Sequence, residues 1–169
     1  MKMRKIIGID SMIFVWGVRG APTPGQEDKV KPAQDFIKWV ESKEWGILLP
    51  TPMIAEILSP VPPEHHQNVM SLIDKRFLVA PFDLPASHKC AELLYKSYNE
   101  PELIKYRLDN AIPKQKMKYD CMIAAICIVR KIDTIYSEDD DIKKFADGQI
   151  SVKPIPPLSL PGIQKPLFS

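Results

Sequence analysis

Six carboxylates stand where a folded chain could bring them to one place. Asp10 follows the apolar run Lys5-Ile-Ile-Gly-Ile9, and Glu56 lies inside Pro52-Met-Ile-Ala-Glu-Ile-Leu58. Asp120 opens the stretch Asp-Cys-Met-Ile-Ala-Ala-Ile-Cys-Ile-Val129, and Asp139, Asp140 and Asp141 follow Thr134-Ile-Tyr136. Carboxylates gathered with no histidine or cysteine beside them are hard oxygen donors. They suit Mg²⁺ or Mn²⁺ rather than Zn²⁺, and such ions support metal-assisted hydrolysis.

Asp120 makes the strongest demand. At helical spacing, positions 120, 123, 124, 127 and 128 share one face, so the carboxylate heads a stripe of Ile123, Ala124, Cys127 and Ile128. The other flank, Met122, Ala125, Ile126 and Val129, is apolar too, and the helix is expected to be enclosed. An unpaired ion there costs several kcal/mol. Asp120 must be protonated, paired (Lys116 is one turn away) or bound to a cation. Each other acid also has a local reading: Asp10 as a helix cap, Glu56 as a solvated helix residue, Asp139 to Asp141 as an N-cap with charges that suit the helix dipole. Together those readings weaken, because acids from four separate elements at one edge repel unless cations hold them.

The elements that must position these groups alternate. Short apolar strands are expected at 5–9, 47–49, 77–80, 134–136 and 150–153. Helices are expected at 32–42, 52–58, 64–75, 86–98, 116–131 and 140–146, the second with Thr51 as N-cap and Pro52 at its first position. Strand followed by helix, repeated, implies a parallel sheet covered on both faces, an α/β sandwich. Asp10 and Asp139 then follow the C-terminal ends of their strands, where open α/β sheets bind ligands.

Composition narrows the classes. The chain has 169 residues, 45% apolar and 26% charged, enough for one domain with a real core and no metal or disulfide staple. A net charge of +2 is too balanced to announce a nucleic-acid binder by itself. Cys90, Cys121 and Cys127 form no C-x-x-C pair and read as buried small hydrophobes in a reducing compartment. The N-terminus imitates a signal peptide, but Asp10 interrupts its apolar run, and no stretch reaches the roughly 20 residues of a membrane helix. The expectation is a soluble, cytoplasmic protein. Of seventeen prolines, thirteen cluster at 22–32, 50–63 and 154–166, and the last group suggests an extended strap that packs on the surface or frays.

Four segments in order, Ile7-Gly-Ile-Asp10-Ser11, Met53-Ile-Ala-Glu56-Ile-Leu58, Tyr119-Asp120-x-x-Ile-Ala-Ala125 and Ser137-Glu-Asp139-Asp-Asp141-Ile142, resemble the successive motifs of PIN-domain nucleases. The nearest subgroup is the VapC-type toxin ribonucleases and their stand-alone prokaryotic relatives. The resemblance runs from about Ile6 to about Phe145. It implies a three-layer α/β/α sandwich with a five-stranded parallel sheet, in a single PIN-like domain over 1–153 followed by a Pro-rich tail over 154–169. It also implies an Mg²⁺- or Mn²⁺-dependent endoribonuclease in which Asp10, Glu56, Asp120 and Asp139 are catalytic and metal-binding, with Asp141 an auxiliary ligand. A homodimer is implied as well. Ser137 stands where the family usually has Thr and keeps the hydroxyl; Ile142 replaces the usual aromatic.

An acidic pocket repels RNA, so positive charge must flank it. Residues 102–118 carry Lys105, Arg107, Lys114, Lys116 and Lys118 against Glu102 and Asp109, a local +3. Lys116 and Lys118 are thereby candidate phosphate contacts, with Ser11 and Ser137 beside the first and last acids. Trp16, Trp39 and Trp45 read as packing residues rather than base-stacking platforms. His65-His66 lacks a third ligand at usable spacing and reads as a solvated helix start. A Ca²⁺ loop is excluded because Ile150 occupies the position where it needs Glu. An aspartyl-nucleophile phosphatase would want an acid where Met12 stands, and a two-component receiver would want one where Ser11 stands. The competing non-enzyme reading is a catalytically silent PIN-like interaction module. A toxin silenced by a small antitoxin differs from the enzyme reading only in regulation, and apolar surface around 53–58 and 70–73 is the expected seat of such a partner.

Overall fold

The computed structural model describes residues 4–158. Five strands, β1 (Ile6–Ile9), β2 (Gly46–Pro50), β3 (Leu78–Ala80), β4 (Thr134–Tyr136) and β5 (Ser151–Lys153), form one all-parallel sheet in the order β3-β2-β1-β4-β5. The central strand β1 pairs Ile7 with Ile47 on one side and Ile7 with Thr134 on the other. It is an apolar run because both of its faces are covered. The expected α/β/α sandwich with five parallel strands is the observed architecture.

Among the described residues, eight α-helices complete the layers: α1 (Ser11–Phe14), α2 (Glu27–Ser42), α3 (Thr51–Leu58), α4 (His66–Arg76), α5 (Leu84–Asn99), α6 (Pro101–Asp109), α7 (Lys114–Val129) and α8 (Asp140–Phe145). A π-helical turn, Val15–Arg19, continues α1 and ends at Gly20 in the left-handed conformation. Gly17 in that turn lets it press onto α2. A Cβ there would lie 2.8 Å from Ile37 Cγ1 and 2.9 Å from the Ala33 carbonyl oxygen. Gly8 plays the same part in β1, where a Cβ would meet Cys127 Sγ of α7 and Ile135 Cγ1 at 3.3 Å each.

Helix α7 is the enclosed element expected from its two apolar flanks: Met117, Cys121, Ile123, Ala124, Ala125, Ile126 and Cys127 are all buried. All three cysteines are free and buried. Burial pushes the Cys121 and Cys127 thiols up to about 12, so both stay protonated and inert. Trp16 is 3% exposed, and Trp39 packs edge-on against Trp45 at 5.0 Å, as packing residues should.

Four local expectations need correction. α2 begins at Glu27 rather than at Pro32, so the proline lies inside the helix; Asp28, whose carbonyl loses its usual donor, is exposed and can turn to water. Thr51 is not a cap. Pro50 holds that position, and the Thr51 hydroxyl accepts the Phe82 N–H at 3.2 Å instead. Helix α6 falls where no element was expected. The apolar surface assigned to 53–58 and 70–73 is mostly core: Met53, Ile54, Ile57 and Ile73 are buried, and Met70 remains exposed.

Beyond β5 the chain runs extended. Ile155 and Leu158 pack against the core, and the Ile155 N–H donates to Glu138 Oε1 at 2.8 Å. The rest of the proline-rich segment, from 159, lies outside the described residues. Among the described residues, no helix is long and apolar enough to cross a membrane.

Candidate functional site

Strand order reverses at β1: the chain proceeds outward to β2 and β3, then returns to lay β4 and β5 on the other side. Loops leaving neighbouring strands in opposite directions open a crevice at the carboxyl ends, between β1 and β4. Asp10 leaves β1 there and Ser137 leaves β4; the Asp10 N–H bonds the Tyr136 carbonyl at 3.0 Å, so the two turns start side by side.

A cavity of about 210 Å³ occupies this crevice. Its walls include Asp10, Ser11, Glu56, Lys116, Asp120, Ser137 and Asp139. Four of the expected acids, from four separate elements, thus share one small hollow. Met12, Met53, Ile123 and Ile142 give it an apolar lining, and Tyr119 closes one side. Asp141 stands at the margin and is joined to the cluster through Lys116. Lys118, expected beside Lys116, is exposed on α7 and is not part of the wall.

The local readings of these acids hold at the same time. Asp10 caps α1, its Oδ1 accepting the Ile13 N–H at 2.8 Å, while its Oδ2 accepts the Ser137 hydroxyl at 2.6 Å. Burial raises the Asp10 carboxyl above its ordinary range, and the bonds from Ser137 and Ile13 counter that only in part. Asp139 caps α8, its Oδ1 accepting the Asp141 N–H at 2.8 Å. Burial works to raise Asp139, but the Lys116 ammonium and the Asp141 N–H outweigh it and hold this carboxyl below the usual range. Glu56 is an exposed helix residue whose Oε2 accepts the Tyr119 hydroxyl at 2.8 Å.

Lys116 is the unexpected centre. Its Nζ lies 3.0 Å from Asp120 Oδ2, 2.7 Å from Asp139 Oδ2 and 2.6 Å from Asp141 Oδ2. Desolvation works against the charged ammonium, but the three carboxylates overcome it and lift its pKa well above the ordinary lysine value. Asp120, with 13% of its side chain exposed, is nevertheless raised to about 6. Burial dominates, Lys116 opposes it, and Asp139 and Asp141 add to the rise.

Two tyrosines join the network without having been singled out by sequence. Tyr119 donates to Glu56, and Tyr106 on α6 donates to Asp141 Oδ1 at 2.9 Å. Burial, then the bond to Asp141, pushes the Tyr106 phenol up to about 12, so it remains a donor. Tyr119 sits next to Asp120 in the sequence, and that adjacency was the available signal. Nothing local to Tyr106 pointed to the site.

Among the described residues, no group of three or more His, Cys, Asp or Glu side chains is drawn together closely enough to chelate an ion as it stands. The chemistry of the donors still fits a hard dication: every anionic side chain at the crevice is an oxygen donor, and a cation already sits among three carboxylates in the form of the Lys116 ammonium. Asp10, Glu56, Asp120 and Asp139 are the side chains that could hold such an ion.

No family model matches the chain, and no curated protein does. Among solved structures, the chain is similar to one in the crystal structure of VapBC2 from Rickettsia felis bound to a DNA fragment from their promoter. The TM-score is 0.59 at 14% identity, over 87% of this chain and 96% of that one. A likeness at that identity speaks for the fold, and the fold is PIN-like.

Proposed function

We propose that this chain is a divalent-metal-dependent endoribonuclease, with its nuclease domain in 1–153 and the 154–169 tail as an appended strap. The observation that carries the reading is the meeting of Asp10, Glu56, Asp120 and Asp139 in one cavity at the switch point of the sheet. Four anionic side chains from separate elements are costly neighbours unless a cation belongs among them. Mg²⁺ or Mn²⁺ is the cofactor that oxygen donors of this kind select.

When bound, such an ion supplies the Lewis acidity that activates water and neutralises charge growing on the phosphoryl oxygens. The protein's own part is orientation. Ser137 fixes the rotamer of Asp10, and the caps of α1 and α8 fix Asp10 and Asp139 relative to the sheet. Tyr119 steers Glu56 toward the crevice from α3. Ser11, Ser137, Lys116 and Lys118 are the proposed substrate contacts. In the hydrolysis, the water oxygen bonds to phosphorus, the P–O3′ bond breaks and the 3′-oxygen leaves with a proton, giving a 5′-phosphate product.

The similarity to a VapBC2 chain supports a toxin-like role, with a small antitoxin as partner, a homodimeric state and a cytoplasmic location as parts of the same proposal. The test is purified protein on a panel of labelled RNAs, with Mn²⁺ or Mg²⁺ and with chelator, beside Asp120→Asn. Metal-dependent cleavage by the native chain and none by the variant is expected. Full cleavage by Asp120→Asn overturns the assignment, and failure to cut any RNA favours a silent interaction module.

A further inference from the structure

The ammonium of Lys116 has three N–H donors, and three carboxylate oxygens at 3.0, 2.7 and 2.6 Å take them. A saturated ammonium has nothing left to offer a phosphate. Two of the three carboxylates, Asp120 and Asp139, are also two of the proposed metal ligands. The phosphate-contact role expected of Lys116 is therefore incompatible with the arrangement observed, unless something takes those carboxylates over.

We propose that Lys116 is the built-in counter-cation of the metal-free site: a divalent ion and the ammonium compete for Asp120 and Asp139, and metal loading drives Lys116 out to face the substrate. The proposal rests on the metal-dependent reading above. Three features of the chain favour it. Lys116 lies one helical turn before Asp120 on α7, so its stem is anchored beside the site whichever way its head points. Its side chain is 38% exposed, so an outward path to solvent exists. The remaining partner, Asp141, is held from its other oxygen by Tyr106, so it can keep a place at the rim when the ammonium leaves.

Exchange of this kind has a thermodynamic signature. Whatever the ammonium contributes to the metal-free protein must be given up on metal binding, and the coupling is reciprocal. Removing Lys116 should weaken the metal-free fold and tighten the metal. Removing a neighbouring charge that makes no such bonds should do neither to the same degree.

Lys118 is the control, two residues on and exposed. Mn²⁺ affinity is measured by calorimetry on the native protein, Lys116→Met and Lys118→Met, with no RNA present. Lys116→Met is expected to bind Mn²⁺ about tenfold more tightly or better, and Lys118→Met within about twofold of native. In the native protein, amine labelling read by mass spectrometry should find Lys116 protected relative to Lys118 without metal, and labelled several-fold faster once Mg²⁺ is added. This arm needs no variant, so it stands even if Lys116→Met fails to fold. Mn²⁺ binding with unchanged Lys116 labelling, or with Lys116→Met no tighter than Lys118→Met, overturns the exchange and leaves the metal-dependent reading intact. No Mn²⁺ binding by the native protein overturns both.

Discussion

Ser137 Oγ donates to Asp10 Oδ2 at 2.6 Å, joining the turn after β4 to the residue that follows β1. The same oxygen accepts the Asp139 N–H at 3.0 Å, so one hydroxyl serves two of the proposed ligands. Ser137 is only 5% exposed, and water cannot easily replace it. Ser137→Ala should therefore lose about 1–3 kcal/mol of stability in urea unfolding. Ser137→Thr keeps the hydroxyl and should lose much less. Equal losses from the two variants would show that volume, not the hydrogen bond, matters at this position.

Asp120 gives a pH signature. Its folded pKa of about 6 lies above the ordinary 3.8, so between those values the native state binds more protons than the unfolded chain. Stability contributed through this group falls as pH rises from about 4 to about 6 and is level above that. In metal-free buffer, the native protein should lose ground to Asp120→Asn across that window, by an amount on the order of 2–3 kcal/mol. The check is chemical denaturation of both proteins from pH 4 to pH 8. A native protein that gains on the variant as pH rises would contradict the assignment.

Tyr119 supplies a second positioning test. Burial, then the bond to Glu56, raises its phenol well above the ordinary value, so it stays a donor throughout the working pH range. Tyr119→Phe frees Glu56 while keeping the ring that lines the cavity. Because Glu56 is exposed, stability should change by no more than about 1 kcal/mol. RNA cleavage should drop about tenfold in kcat with KM nearly unchanged, as expected when a group is misaligned rather than removed. Steady-state kinetics on one fixed RNA separates the two parameters.

The sheet and most helices were legible because their signals are local. Residues 5–9 are an apolar run of strand length, and Pro113 and Pro154 bracket a proline-free stretch that holds α7, β4 and α8. Helix α6 was hidden because Leu103 is its only buried residue, too little to make an apolar period, and because Pro101 reads as a stop although it sits in the first turn. The four acids could be placed at one edge by counting strands. The Lys116 hub could be read only in part: its bond to Asp120 is visible at i, i+4, but those to Asp139 and Asp141 span 23 and 25 residues and depend on how α7 packs on α8. The Tyr106 donor is invisible for the same reason, whereas Tyr119 is marked only by its place next to Asp120.

Gly17 offers a prediction away from the chemistry. An added Cβ would come within 2.9 Å of the Ala33 carbonyl oxygen, which belongs to the backbone of α2 and cannot simply swing aside. Gly17→Ala should separate the π-helical turn from α2 and cost about 1–3 kcal/mol. The midpoint of urea unfolding reads this directly. An unchanged midpoint would mean that the turn relaxes without disturbing the helix it leans on.

The bond from the Ile155 N–H to Glu138 Oε1 turns the strap into a guy-rope, since Glu138 sits between Ser137 and Asp139. Trimming the polypeptide back to the last strand would spare every rung of the sheet and still slacken the loop that presents Asp139 and the hydroxyl that holds Asp10. A shortened version meant for assay or crystallisation should therefore keep at least Leu158, and a fusion partner belongs at the opposite terminus.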